Sequence, residues 1–285
     1  NGDDFSRMFY GASSFDQNIR YWTIDENADL EGMFNGLMIS NQGFSEIPLA
    51  SDFGKTRITD RASLDTAIDA WIADESAATE TYGDINTWDV SAVTDFSNLF
   101  YGKDFNSDIS GWDVSKGTDF STMFGDCSSF NQDISDWDVS NGTDFTYMFI
   151  DAQSFNQDLG AWDVGNGSSF YGMFYDATSF NQDISNWNVG NGTSFRYTFF
   201  GAAAFNQDLS DWDVSQVTSF NMMFASASSF NQDISNWDVG KALSFYGMFS
   251  NANSFNQDLS SWDVGNAHNF SAMFYNATTF NQDIS

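Results

Sequence analysis

The sequence predicts an α/β repeat solenoid with one short parallel strand and one short helix in each 25-residue coil. Three observations predict it. Trp88, Trp112, Trp137, Trp162, Trp187, Trp212, Trp237 and Trp262 stand 25 residues apart after a first interval of 24. The residues around them recur as FNQDISNWDVGNGTSFxxMFxxAxS. Within each unit the apolar positions follow two different periods, as a strand followed by a helix should.

Residues 1–45 carry a degenerate copy, in which Phe5, Met8, Phe9, Phe15, Ile19, Trp22, Leu30, Met33 and Phe34 keep the unit's spacings. This stretch is expected to be the end of a preceding array. Over residues 46–84 the period is lost, the only proline, Pro48, occurs, and Lys55, Arg57 and Arg61 cluster. Here Leu64, Ala67, Ile68, Trp71 and Ile72 predict an amphipathic helix with Thr59 or Asp60 as its N-cap. A polar-faced helix ahead of the first coil is the expected cap of a stacked array.

Residues 85–285 are read as the solenoid, eight coils long. Ile134, Trp137 and Val139 follow the L-x-x-L-x-L spacing of a leucine-rich-repeat strand, so the fold is leucine-rich-repeat-like. Phe145, Met148, Phe149 and Ala152 then sit at i, i+3, i+4 and i+7, one face of a short helix. Asn141, Gly142 and Thr143 make the turn between them, with Gly142 expected at positive φ. The one missing residue falls in a connector, where FYGKDF stands for FGDCSSF, leaving the core positions in register.

One coil cannot bury enough surface to offset the entropy of ordering itself, so coils must stack and each position becomes a column. Phe120, Phe124, Phe130 and Trp137 head four such columns, read as core. A carbohydrate-stacking stripe is the alternative for the tryptophans, and it requires them to point outward. The column of Asn131, Asn156, Asn181, Asn206, Asn231, Asn256 and Asn281 predicts a hydrogen-bonded amide ladder that satisfies turn backbone groups.

Lys and Arg total 9 against 40 Asp and Glu, a formal net charge of -31. Such a balance excludes a general grip on nucleic acid or anionic lipid, and favours solubility and a loose atmosphere of counter-cations. With 41% hydrophobic and 18% aromatic residues the chain is nevertheless too apolar to be disordered. No long apolar run predicts a membrane span. No signal peptide is visible in a chain whose residue 1 lies inside a repeat.

A single cysteine, Cys127, allows no intrachain disulfide and is read as a small buried filler, and a single histidine, His268, supports neither a triad nor a multi-histidine metal site. Carboxylates recur in two columns, one from Asp113 to Asp263 and one from Asp133 to Asp283. Catalysis needs carboxylates in unlike environments, whereas here one environment recurs in every coil, so no catalytic residue, no cofactor and no enzyme are expected. Stacked like charges must accept backbone hydrogen bonds or hold cations. Turn hydrogen bonds are favoured, with Asp133, Asp158, Asp183, Asp208, Asp233 and Asp258 as calcium candidates. Five N-x-S/T sequons mark Asn141, Asn166, Asn191, Asn269 and Asn276 as candidates for N-linked glycans.

The segments FNQDISNWDV and SFxxMF closely resemble the BspA-like bacterial surface-protein repeat family, a leucine-rich-repeat-like family also found in protists and algae. The resemblance covers residues 84–285 and, weakly, 1–34. Several positions that are methionine or valine in that family are phenylalanine here. The segment from Thr59 to Val93 also resembles the leader that precedes such arrays in protist members. The resemblance implies secretion or cell-surface display and a role in adhesion or matrix, and it carries no catalytic residues.

The expectation is therefore an extracellular structural protein whose subunits stack end to end into a fibre or cell-surface matrix, since five further residues would bring Ser285 into register with Asn1. The alternative is a cell-surface adhesin-type module that binds a protein or glycan. Aromatic and charged substitutions along one exposed column would favour the alternative, but the exposed columns read as uniform.

Overall fold

The computed structural model describes residues 4–10, 12, 28–31, 33 and 56–284. Among them the expected strand and helix of each coil are absent. The helices are α1 (Arg61–Ala73) and α2 (Glu75–Tyr82), with a single 3-10 turn at Ile85–Thr87, all ahead of the repeats' regular part. β-Pairing is confined to isolated parallel bridges such as Asp119 with Asp144 and Ser219 with Ser244. The repeats are stacks of turns.

Left-handed residues exclude the helix. Thr122 and Asp126 have φ of 56° and 58°, and the equivalent Tyr147 and Asp151 both have 55°. One left-handed residue every four positions cannot belong to a right-handed helix. Instead Met123, Gly125 and Cys127 donate their N–H groups three residues back, to Phe120, Thr122 and Phe124, closing successive turns. The alternate residues turn outward along the stack. Phe120, Thr122, Phe124 and Asp126 donate to the carbonyls of Asp144, Thr146, Met148 and Ile150 in the next unit, at 2.8–2.9 Å.

The strand fails for a related reason. Trp137 donates to the carbonyl of Ile134, so the L-x-x-L-x-L segment closes a turn, and the bridge forms later, just before Phe145. Gly142 also departs from expectation, since it is absent from the positive-φ positions. A Cβ there would lie 2.5 Å from the Phe145 ring and 2.9 Å from the Val139 carbonyl, although Val217 and Ala242 close the same turn in later units, where the neighbouring rings make room.

The expected columns are core until the last unit, where Phe270 is exposed and Phe274 and Phe280 are only partly buried. Phe120, Phe145 and Phe170 stack with centroids 5.7 Å apart, and Phe124, Phe149 and Phe174 with centroids 5.6 Å apart. Within a unit, Phe124 lies 4.0 Å from Phe130 and Phe149 lies 4.1 Å from Phe155. Such stacked pairs contribute about 0.5–1.5 kcal/mol each beyond the area they bury. The shortened unit keeps this geometry, with Phe100 and Phe105 3.9 Å apart.

Asp60, one of the two expected N-caps, caps α1 by accepting from the Ser63 N–H. Leu64, Ala67, Ile68 and Trp71 are buried, whereas Ile72, expected on the same face, is exposed. Trp71 meets Trp88 edge-on at 5.9 Å and donates its indole N–H to Ser107. Arg61 reaches Asp65 and Asp95, and Lys103 reaches Asp69, tying the polar side of α1 to the first units. α1 therefore packs on the first units through both an apolar and a charged face.

The described part of the N-terminal copy uses the same ladder. Phe5, Arg7 and Phe9 donate to the carbonyls of Asp29, Glu31 and Met33. Phe15, Ile19, Trp22, Phe34, Pro48 and Lys55 lie outside the described residues.

Thr122→Gly separates the turn structure from a helix by the sign of its effect. In a left-handed turn the change is expected to stabilise by about 0.5–1 kcal/mol, because a β-branched residue there is strained. In a helix it would destabilise, since glycine is among the poorest helix formers. Urea unfolding of the two proteins reads the sign.

Candidate functional site

Polar residues that read as chemistry in the sequence act first on the backbone of their own stack. The tryptophans point inward, nearly fully buried, which disposes of the carbohydrate stripe. From Trp112 onward each indole N–H donates to a carbonyl of the preceding unit, Trp137 to Ile109 at 3.2 Å and Trp187 to Leu159 at 2.9 Å, whereas Trp88 donates to Gly83. The amide ladder forms as expected. Asn131 Oδ1 accepts from the Asn156 N–H at 2.9 Å and from Gln157 Nε2 at 2.9 Å, and Asn156 serves Asn181 and Gln182 in the same way.

The six calcium candidates stand in one column, and each is occupied locally. The Oδ1 of Asp133, Asp158, Asp183, Asp208, Asp233 and Asp258 accepts the N–H two residues on, at 2.8–3.0 Å. These are Asx turns. Among the described residues no group of three or more His, Cys, Asp or Glu side chains is placed to hold a metal ion. Asp113, Asp138, Asp163, Asp213, Asp238 and Asp263 form a parallel column of the same turns, with Asn188 taking the acid's place at one level.

Three sequon asparagines share one exposed column. Asn141, Asn166 and Asn191 donate Nδ2 at 2.7 Å to the carbonyls of Ser115, Ser140 and Gly165 in the preceding unit. Their hydroxyl partners form a second ladder, with Thr143 donating to Thr118 and Ser168 to Thr143. Asn269 instead accepts from the Ser271 N–H, and exposed Asn276 donates to Asn251. The remaining singletons are quiet: His268 is exposed, and the buried Cys127 thiol donates to the Phe100 carbonyl at 2.9 Å.

The exposed columns are not uniform, contrary to expectation. Tyr147, Tyr171, Tyr175, Tyr197 and Phe200 gather in three successive units as a half-buried aromatic patch. Tyr147 meets Tyr171 edge-on at 5.0 Å, Tyr171 lies 5.6 Å from Tyr197, and Tyr175 stacks on Phe200 at 4.5 Å. The Arg196 guanidinium lies 5.8 Å from the Tyr171 centroid and 5.9 Å from that of Tyr197. In the turn above, Asp126, Asp151 and Asp176 succeed one another at a left-handed position. Burial, and then the neighbouring carboxylate, pushes the Asp151 and Asp176 carboxyls above their ordinary value. The signal was present in the variable positions of SFxxMFxx, which read FTYMFI, FYGMFY and FRYTFF in these three units and are mainly small or polar elsewhere.

Two outcomes follow from these environments. Hydrogen bonds from the backbone and side chain of the serine two residues on hold Asp133, Asp183, Asp233 and Asp258 below their ordinary 3.8. The unfolded chain therefore takes up these protons first, and the stabilisation is complete above 3.8 and lost as pH falls through the lower folded values. Thermal melting of unglycosylated protein is expected to weaken below that pH. Changing all four to Asn, which keeps the turn as Asn188 does, is expected to flatten that part of the curve. Separately, burial pushes the Cys127 thiol up to about 12. Alkylation by iodoacetamide near neutral pH is expected only when the protein unfolds, read by mass spectrometry with and without denaturant.

Among the described residues no helix is long and apolar enough to cross a membrane. A family model described as "Mycoplasma protein of unknown function, DUF285" matches residues 1–47, 66–187 and 208–285. The intervening stretches include Pro48 and, in the repeats, the Arg196–Phe200 part of the aromatic patch. No curated protein and no solved structure matches the chain. The matched residues make up most of the chain and run through the stacked units, and the chain therefore belongs to the DUF285 family.

Proposed function

We propose that this protein is a non-enzymatic structural component of an extracellular fibre or cell-surface matrix, in which copies associate along the axis of the stack. The observation that carries the reading is the repeated interface. Each unit meets the next through the same backbone donors, the same phenylalanine columns and the same amide ladder, a contact that can be extended one unit at a time. A heterologous contact of that kind generates filaments when it does not close.

Two further observations support it. A net charge of -31 keeps the sides of neighbouring chains apart, leaving association to the ends. The recurrence of FNQDISNWDV and SFxxMF resembles BspA-like surface proteins, and that resemblance favours secretion or display at the cell surface. N-linked glycans on Asn141, Asn166, Asn191, Asn269 and Asn276 belong to the same reading. A glycan replaces one of the two Nδ2 hydrogens, so the first three can keep their ladder bond.

The second reading, an adhesin-type module that binds a protein or glycan, draws on the aromatic patch around Tyr171. Tyrosine and arginine are among the residues most enriched at the centres of binding surfaces, and Arg196 lies over the Tyr171 ring.

Electron microscopy and intact-mass measurement of the native material test the proposal together. Long fibres with an axial repeat of one stacked chain are expected, with mass in excess of the polypeptide. Discrete, dispersed chains of polypeptide mass would reject the fibre and the glycans and favour the binding module.

A further inference from the structure

We infer that Tyr147 and Tyr171 form an oxidative cross-linking site, at which a peroxide-dependent one-electron oxidant couples the two phenol rings into a dityrosine that staples adjacent units. The inference is independent of the fibre reading, because it concerns two residues of one chain.

The backbone places the pair. The Tyr147 N–H donates to the Tyr171 carbonyl at 2.8 Å, so the two residues stand directly opposite each other across the junction between units. Their ring centroids are 5.0 Å apart with the planes at 89°, the shortest separation between tyrosine rings among the described residues. Burial, and then the neighbouring Tyr171 phenol, pushes the Tyr147 phenol above its ordinary value. Both rings are only half-buried, so electrons can leave to a surface oxidant, and coupling requires the rings to turn from edge-on to edge-to-edge.

The neighbours favour coupling over escape of the radical. Tyr171 is 5.6 Å from Tyr197, and Tyr147 and Tyr197 are 6.4 Å and 6.2 Å from Tyr175. A radical formed on any of the four can pass among them and settle where a second one lies within bonding reach. Tyr101 and Tyr275 are more exposed, and neither pairs with another ring among the described residues.

The chemistry balances with hydrogen peroxide as oxidant and a haem peroxidase as its activator. Each phenol gives up one electron and one proton. The two radicals join through the ring carbons ortho to oxygen, and the hydrogen on each joined carbon moves to its oxygen as the rings become aromatic again. One C–C bond forms, two hydrogen atoms leave the protein, and the O–O bond of the peroxide is cleaved and reduced to two waters.

The test is to treat dilute, folded protein with a haem peroxidase and limiting hydrogen peroxide, and then to digest at aspartate, which separates Tyr147 from Tyr171. The expected result is dityrosine fluorescence on monomeric chains, with a linked peptide lighter by two hydrogens that joins Tyr147 to Tyr171 as the main product. Tyr147→Phe, checked for an unchanged melting curve, is expected to remove that peptide and most of the monomer fluorescence, while Tyr101→Phe leaves both. Links found mainly between chains, links dominated by another tyrosine pair, or fluorescence that survives Tyr147→Phe would each overturn the assignment.

Discussion

Between Phe120 and Asp126 alternate N–H groups donate to the next unit while the residues between them close turns onto their own, and the rest of the structure is bound to that alternation. Backbone groups in the interior of a stack must be paired, and here the pairing is split between two directions. The split demands a left-handed residue at Thr122 and again at Asp126, and at the equivalent places in later units. It also sets the separation of the units, and with it the distance at which the phenylalanine columns stack.

Once the ladder exists, the polar side chains complete it. The indole of Trp137, the amide of Asn131, the carboxylate of Asp133 and the hydroxyl of Thr143 differ in chemistry but share a task. Each takes a backbone group, or the amide of the next rung, that no regular strand or helix is present to satisfy. This is why columns of carboxylates and asparagines recur without converging on a site. Their environments are alike because every unit has the same unpaired groups to cover.

Against that regularity the variable positions of the SFxxMFxx segment stand out, since the ladder constrains their backbone and leaves their side chains free. In most units they are mainly small or polar, with single tyrosines at Tyr101, Tyr246 and Tyr275. In three successive units they place four tyrosines, Phe200 and Arg196 on one side of the stack. The departure costs the fold little, because Tyr147 occupies the same left-handed turn position that Thr122 and Met222 occupy elsewhere. Individual chemistry can therefore be carried there while the core columns continue unchanged.

Much of this was determined by the sequence alone. Side chains that recur every 25 residues must form columns if units stack, so the phenylalanine core, the inward tryptophans and the Asn131 ladder were all legible from spacing and polarity. The first helix was legible too, through its apolar face and Asp60, although Ile72 turned outward. The conformation of the unit was decided only in three dimensions. Phe145, Met148, Phe149 and Ala152 at i, i+3, i+4 and i+7 suit a helix and a chain of turns equally, because both bury one side every few residues. What separates them is the sign of φ at Tyr147 and Asp151, and that depends on the carbonyls of Tyr171 and Tyr175, which exist only when the next unit is in place. The recurrence of Gly102, Asp126, Asp151, Asp176, Gly201 and Asn251 at one position was the trace of this in the sequence, since glycine, asparagine and aspartate tolerate a left-handed backbone better than other residues. The meeting of Tyr147 with Tyr171 likewise needed the stack, because only the register between units brings residues so far apart in the chain face to face.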